Sequence, residues 1–390
     1  MFLQIHPMEE SLLKSLYVKA KENSLYGRYI SMAHLIPLLK KFPVTFQWEI
    51  IGKTVLNKPI YAVRIGKGAK KVLMWSQMHG NESTTTKAVF DLLNALKFSG
   101  EADIASLLDS CTLVFIPMLN PDGAEVYTRE NANDIDLNRD AQALSQPESI
   151  ALRKLYDYFK PDYCFNLHGQ RTIFSAGKTA TPATLSFLAP AQDNASSLTK
   201  NRKIAMEIIS EVTKQIQKSI PNQVGIYDDS FNINCVGDTF QSLGTPTILV
   251  EAGHYKNDYQ REVTRELVFQ ALLLSLDYIT TNSVNGTKYQ PYYDIPKNEK
   301  LFYDIIIHNA SVNNEKKDIA IQFQEKLVKG KIEFSPKIER IENTLSGYFA
   351  HREINANGNP VFTPKNESVF EGYENDFVMI NNEKISLKVT

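Results

Sequence analysis

The apolar positions of this chain fall into two regimes. Up to about residue 282, short runs rich in β-branched and aromatic residues alternate with longer segments at helical spacing. Strands are predicted at Thr45–Gly52, Tyr61–Gly66, Val72–Gln77, Thr112–Leu119, Tyr163–Leu167 and Thr247–Val250. Four of these runs, VLMWSQ, TLVFIPML, YCFNL and TILV, are almost unbroken by polar residues, the pattern of strands covered on both faces. A leading helical stretch spans 8–41, and further helices are predicted at Ser83–Lys97, Glu148–Phe159, Leu198–Ser219 and Tyr259–Ile279. In the last, Val263, Leu267, Ala271, Leu274 and Tyr278 recur on one face. Such alternation predicts an α/β domain over 1–282, with a mostly buried central sheet flanked by helices.

The second regime follows a break. Residues 283–300 are polar, Tyr-rich and punctuated by Gly and Pro, and read as a linker. Beyond them the period becomes two: Ile319, Ile321 and Phe323 alternate with polar residues, as do Ile332, Phe334 and Ile338 around Pro336. With Asn357-Gly358-Asn359-Pro360 as a turn, 301–390 reads as a small β-rich domain. It carries no visible catalytic constellation. Its role is open between buttressing the first domain, mediating dimerisation and restricting access to a cleft.

Composition narrows the class. The 390 residues are 43% hydrophobic and 22% charged, an ordinary globular mix. A net charge of −1 with no long run of one sign argues against nucleic acid as a partner. Three scattered cysteines (Cys111, Cys164, Cys235) cannot all pair and have no metal-like spacing, so free thiols in a reducing compartment are expected. Neither a signal peptide nor a stretch long and apolar enough for a bilayer is visible. The expectation is a soluble, cytoplasmic protein with no membrane partner.

Candidate chemistry gathers at strand ends, where open α/β sheets carry their functional residues. Of the seven histidines, His79 closes the run VLMWSQM and His168 closes YCFNL. Glu82 arrives three residues after His79, across the turn Gly80-Asn81. Two imidazoles and a carboxylate from neighbouring strand ends make an incomplete tetrahedron, the open donor set of catalytic zinc. Singly, each histidine is more simply a polar cap on a strand end; together with Glu82 the metal reading is the stronger. Glu251 ends TILVEAG, and a carboxylate there is either a general base or one half of a structural ion pair. Between lies Asn120-Pro121-Asp122-Gly123, then Arg129, Asn131, Asp136, Asn138, Arg139 and Asp140. Arg129 and Arg139 suit an anionic group or a developing oxyanion if they reach the same strand ends, and are merely solvated if they do not. His254 is a loop histidine that at most lines the cleft.

In this order, H79-G-N-E82, N120-P-D-G123, R129-x-N131, D136-L-N138-R139, His168 and Glu251 resemble the zinc carboxypeptidases of the carboxypeptidase A/B type. The resemblance runs from about Asn23 to Ile279 and is nearer the short-loop bacterial members, including murein-peptide amidases. It implies a mixed central sheet and one Zn2+ per chain, held by His79, Glu82 and His168, with Asp136 orienting His79. It further implies Glu251 as general base and Arg129 as the group that polarises the scissile carbonyl. Asn138 and Arg139 would then grip a terminal carboxylate, so the substrate expected is a peptide or murein peptide with a free C-terminus. Two features depart from the family pattern. Asp140 stands where another Asn is usual, and either weakens the carboxylate clamp or points elsewhere. The family's mobile tyrosine has no clear counterpart; Tyr227 is the candidate, a surface tyrosine the alternative. The stretch 227–244 should form the side-chain pocket, where Asp238 either favours a basic or diamino side chain or only binds turn amides.

Two rivals stay open. HGNE plus DLNR also occurs in aspartoacylase and succinylglutamate desuccinylase-like amidohydrolases, which cleave N-acyl amino acids. The other rival is a non-catalytic peptide-binding protein on the same scaffold, against which stand the complete ligand set, base and arginines.

Overall fold

A computed structural model describes residues 8–98 and 100–389; His6 and the rest of the extreme N-terminus lie outside them. The predicted first helical stretch is two helices, α1 (Glu10–Ala20) and α2 (Met32–Leu39), separated by a turn-rich segment. The central sheet has eight strands: β1 (Gln47–Lys53), β2 (Pro59–Gly66), β3 (Lys70–Ser76), β4 (Cys111–Ile116), β5 (Tyr163–Gly169), β7 (Leu185–Leu188), β8 (Val224–Ile226) and β9 (Thr247–Ala252). Short β6 (Phe174–Ala176) lies outside it. The order is β1-β2-β4-β3-β5-β9-β7-β8. At the centre β4, β3, β5 and β9 are mutually parallel, so their carboxyl ends lie side by side. Strands β2 and β7 flank them antiparallel and make the sheet mixed.

Helices α3 (Thr84–Ala95), α4 (Ala102–Ser110), α6 (Pro147–Phe159), α7 (Lys200–Ile216) and α9 (Glu262–Thr281) join short α5 (Pro121–Val126) and α8 (Val236–Ser242) around the sheet. Two apolar layers fill the faces, one including Val72, Met74, Phe165 and Phe269, the other Leu73, Trp75, Ile116 and Phe240. Strand residues β3 to β5 thus feed both layers alternately, which is why their sequence shows unbroken hydrophobicity rather than a period of two. Helix α9 is buried almost all round, although Val263, expected on its core face, is 40% exposed at the first turn. Its Arg265 is fully buried and doubly bonded to buried Asp91 of α3 at 2.6 Å.

The stretch expected as a linker is instead docked on the first domain. Tyr292 is buried, its hydroxyl accepting from the Ala189 amide at 3.2 Å, and Ile295 joins the main core. Strand β10 (Asn298–Lys300) pairs antiparallel with β6. The polar composition that signalled a linker serves hydrogen bonds: Asn298 Nδ2 donates to Gln170 Oε1 and Ser186 Oγ, both at 2.9 Å.

After it, β11 (Phe302–Val312), β12 (Glu315–Val328), β13 (Lys331–Glu342) and β14 (Phe349–Asn355) form a sheet ordered β13-β12-β11-β14. Strands β15 (Val361–Phe362), β16 (Phe377–Ile380) and β17 (Glu383–Ser386) form a second, three-stranded one. This unit has its own core around Ile305, Ile307, Ile319, Ile321 and Ile338. It is tied to the first domain by Tyr259 to Asp304 (2.9 Å), Gln322 to Thr172 (2.7 Å), His351 to the Thr172 carbonyl (2.8 Å) and an Arg28–Glu325 ion pair (2.9 Å).

Candidate active site

The proposed metal and base residues gather at the carboxyl ends of three of the four parallel strands: His79 and Glu82 just after β3, His168 near the end of β5 and Glu251 near the end of β9. His79 follows β3 by three residues on a turn in which Gln77 adopts a positive φ of 48°. The Gln77 side chain holds that turn, donating to the Ile30 and Gly80 carbonyls at 2.8 Å. Gly80 presses on the neighbouring Pro121-Asp122-Gly123 turn, where a Cβ would stand 2.1 Å from the Gly123 carbonyl carbon, so no other residue fits. Asn120 caps α5 by accepting from Gly123 N at 2.9 Å while donating to the carbonyls of Met78 and Glu130. The two motif turns are therefore one interlocked unit, which delivers Arg129 to the tip of β3. His168 and Glu251 are register partners on β5 and β9, so their side chains leave the sheet on the same face.

His79, Glu82 and His168 converge, their donor atoms within 4.8 Å of one another. His79 Nδ1 lies 2.8 Å from Glu82 Oε1 and 3.1 Å from His168 Nδ1, which is 3.1 Å from Glu82 Oε2. On its other side His79 Nε2 meets Asp136 Oδ1 at 3.1 Å. An ionised Asp136 fixes the hydrogen on Nε2 and turns the Nδ1 lone pair toward Glu82. Three acceptor atoms facing one point call for positive charge: Arg129 Nη1, 3.2 Å from His79 Nδ1 and 3.3 Å from Glu82 Oε1, supplies part of it, and a proton on His79 or a divalent ion shared by all three would supply the rest. The donor set of two nitrogens and a carboxylate suits zinc.

The electrostatics agree. Burial alone would depress the His79 imidazolium, but the neighbouring Glu82 and Asp136 outweigh it and raise the group. For His168 burial wins and lowers it. Burial would raise the carboxyls of Glu82 and Asp136, but the adjoining histidines, with Arg129 in the case of Asp136, bring both far below the ordinary range. Arg129 spans the group, Nη2 on Asp136 Oδ2 at 3.0 Å and Nη1 3.3 Å from Glu82.

Glu251 differs from its neighbours. It is buried, and its Oε2 has no hydrogen-bond partner among the described residues. Burial, reinforced by the nearby Glu82 charge, pushes its carboxyl well above the usual value. The structural ion pair considered from sequence is absent among the described residues; the carboxylate instead lines a cavity of about 440 Å³ together with the triad.

That cavity collects the remaining candidates: Arg129, Asn138, Arg139, Tyr227 and Asp238 all line it. Asn138 is buried, its Oδ1 held by the Val236 amide at 3.0 Å, which leaves its NH2 group for the cavity. Arg139 is exposed, with Nη1 on the Asn138 carbonyl at 2.8 Å. Tyr227 is half-buried and packed on Phe174 at 5.4 Å, not a free surface tyrosine. Asp238 is buried, and burial pushes its carboxyl up to about 6; it accepts from the Asn232 amide at 3.2 Å, as the turn-amide reading expects, and also lines the cavity. Asp140 points elsewhere: it is buried and accepts from Ser145 and from the Gln146 amide. His254 does not reach the cleft. It is buried beneath Tyr259 and His351, with ring centroids at 4.6 and 4.2 Å.

Sequence reading missed Asn166, fully buried on β5 with neither amide atom partnered among the described residues, although it lines the same cavity. The signal was present: an Asn inside the apolar run YCFNL demands a partner.

Comparison with known proteins gives one family, described as zinc carboxypeptidase, matching residues 32–346. Carboxypeptidase 2 of Trichophyton tonsurans is 27% identical over 145 residues, covering 37% of this chain and 24% of that protein. Carboxypeptidase M of Mus musculus is 28% identical over 165 residues, covering 35% of this chain and 37% of that protein. The chain thus spans only 24% to 37% of these two curated relatives' own lengths. Among solved structures, a metallo-carboxypeptidase from Pseudomonas aeruginosa superposes with a TM-score of 0.52 at 16% identity, covering 65% of this chain and 70% of that one. Carboxypeptidase A from Helicoverpa armigera gives 0.51 at 18%, covering 70% and 80%. At such identities the likeness is one of fold.

Proposed function

The chain belongs to the zinc carboxypeptidase family, and from that premise we propose that it is a metallocarboxypeptidase releasing the last residue of a peptide or murein peptide. His79, Glu82 and His168 would hold the one zinc ion. When bound, such an ion supplies Lewis acidity toward a water and toward a carbonyl oxygen. Glu251 takes the proton of the attacking water and passes it to the departing amine. Its unpartnered, desolvated carboxylate is what supports that role. Arg129 steadies the negative charge that develops on the scissile carbonyl. Asp136 keeps His79 in the tautomer whose Nδ1 faces the centre.

The free NH2 of Asn138 and the unengaged guanidinium nitrogens of Arg139 bind the terminal carboxylate, with Tyr227 closing over it. Asp238 and Asn166 then face the side chain of the leaving residue, which favours a polar or basic group there. Three unpaired cysteines, two of them buried, support a cytoplasmic setting. Among the described residues no helix is long and apolar enough to cross a membrane.

The single observation that carries the reading is the placement of the triad, Glu251 and the Asn138–Arg139 pair around one cavity. Its test is a mass-spectrometric screen of peptide libraries, with and without chelator, for loss of the last residue. Chelator-sensitive trimming is the expected result. Cleavage of N-acyl amino acids but of no peptide would assign the chain to the amidohydrolase alternative instead.

A further inference from the structure

A second cavity, of about 530 Å³, adjoins the first and shares Glu82, Arg129, Gly169 and Tyr227 with it. Its far side is formed by the C-terminal β-rich unit, through Gln322, Phe323, Gln324 and Glu325 of β12 and Phe334 of β13. We propose that this groove receives the acyl-side residues of the substrate, those preceding the scissile bond, and that it selects peptides carrying a carboxylate there. The inference rests on the reading above. With the chain end at Asn138 and Arg139 and the scissile carbonyl at the triad, the rest of the peptide continues past Glu82 and Arg129 into this groove.

The charge inventory gives the selectivity. Glu325 is neutralised by Arg28 at 2.9 Å and also accepts from the Tyr127 hydroxyl. Asp304 is buried and saturated by Tyr259, Gln322 and the Phe323 amide. Glu82 belongs to the triad. Arg171 and Lys300, both exposed and lining the groove, have no ion-pair partner among the described residues. The uncompensated charge is therefore positive, and it lies beside aromatic walls at Phe174, Phe323 and Phe334 that cover a peptide's apolar stems. The ties from Tyr259, Gln322 and His351 hold the wall in place before any peptide arrives.

The test uses the full chain loaded with zinc and two kinds of substrate. One is an N-blocked dipeptide, whose single acyl-side residue leaves no side chain at the position varied in the longer peptides. The other is a set of tetrapeptides differing by Glu, Gln or Lys at the second residue before the scissile bond. The Glu peptide should have a KM about 3- to 30-fold below that of the Gln peptide, as two exposed charge pairs allow, with the gap closing in high salt. The double substitution Arg171→Ala, Lys300→Ala should erase the preference and leave dipeptide turnover unchanged. Dipeptide cleavage with no preference among tetrapeptides overturns the groove while leaving the catalytic reading intact. Should no peptide be cleaved, the catalytic reading fails, and fluorescence titration of the labelled tetrapeptides still decides: tighter binding of the Glu form, lost in the double variant, supports the groove, and equal binding overturns it.

Discussion

Glu251→Gln should damage activity and improve stability at once. The carboxylate is buried with one oxygen unpartnered among the described residues, and the Glu82 charge stands close by. Burying a charge without full compensation costs about 1–3 kcal/mol. A carboxyl raised above its unfolded value costs the fold nothing at acid pH, where both states are protonated. The cost grows as pH rises through the unfolded value toward the folded one. A neutral amide of nearly the same shape removes that cost, so the gain belongs at pH 7–8 and should vanish near pH 4. With an unfolding entropy of about 2.1 cal/mol/K per residue, 1–3 kcal/mol raises the midpoint of this chain by about 1–4 °C. Hydrolysis should fall by about 10²–10⁴, the usual worth of a positioned base, or about 3–5 kcal/mol of barrier. The assays are kcat/KM on the best peptide from the library screen, elemental analysis for retained zinc, and thermal unfolding of chelator-stripped protein across pH. Near-normal turnover with zinc retained would refute the base; a lower midpoint at neutral pH would refute the claim of an uncompensated carboxylate.

Asp136→Asn replaces the ionised acceptor of the His79 ring by a neutral one and turns the oxygen facing Arg129 into a donor, and should weaken zinc binding about 10–100-fold in a competition titration with a chromophoric chelator. Asp91→Ala removes the bidentate carboxylate of the buried Arg265 guanidinium, leaving it Glu262 and two carbonyls, and should cost about 3 kcal/mol in urea unfolding, whereas Val18→Ala on the exposed face of α1 should cost little. Asp304, whose carboxyl burial pushes up to about 6, destabilises the fold as pH rises from about 4 to 6. Asp304→Asn should therefore flatten the stability–pH curve between about pH 4 and 6 and leave its slope above pH 6 unchanged, which denaturation at pH 4, 6 and 8 would check.

How much was legible in advance follows the range of each interaction. The strands that build the site were readable because both faces of β3, β4, β5 and β9 are covered, so hydrophobicity accumulates along the chain itself. Short β6, β7 and β8, and helices α4, α5 and α8, gave no such signal, since each depends on a neighbour distant in sequence. The stretch 283–300 hides its contacts for the same cause: Tyr292 and Asn298 are polar in the sequence and paired in the fold with residues distant along the chain. His254 was adjacent to Glu251 in sequence yet lies on the other side of the local chain, beneath Tyr259.

The sequence by itself determined which side chains could share an ion and the order in which strand ends would present them, because the hydrophobic runs and the turn residues that close them are local properties. Only the tertiary structure decided that Asp140 is consumed by Ser145 and Gln146, that Glu251 stands without a partner among the described residues, and that the C-terminal unit walls the approach to the site. Whether a polar atom is satisfied depends on side-chain directions and packing that the spacing along the chain does not encode, whether the partner is a few residues away, as for Asp140, or in a distant strand, as for the wall of the approach.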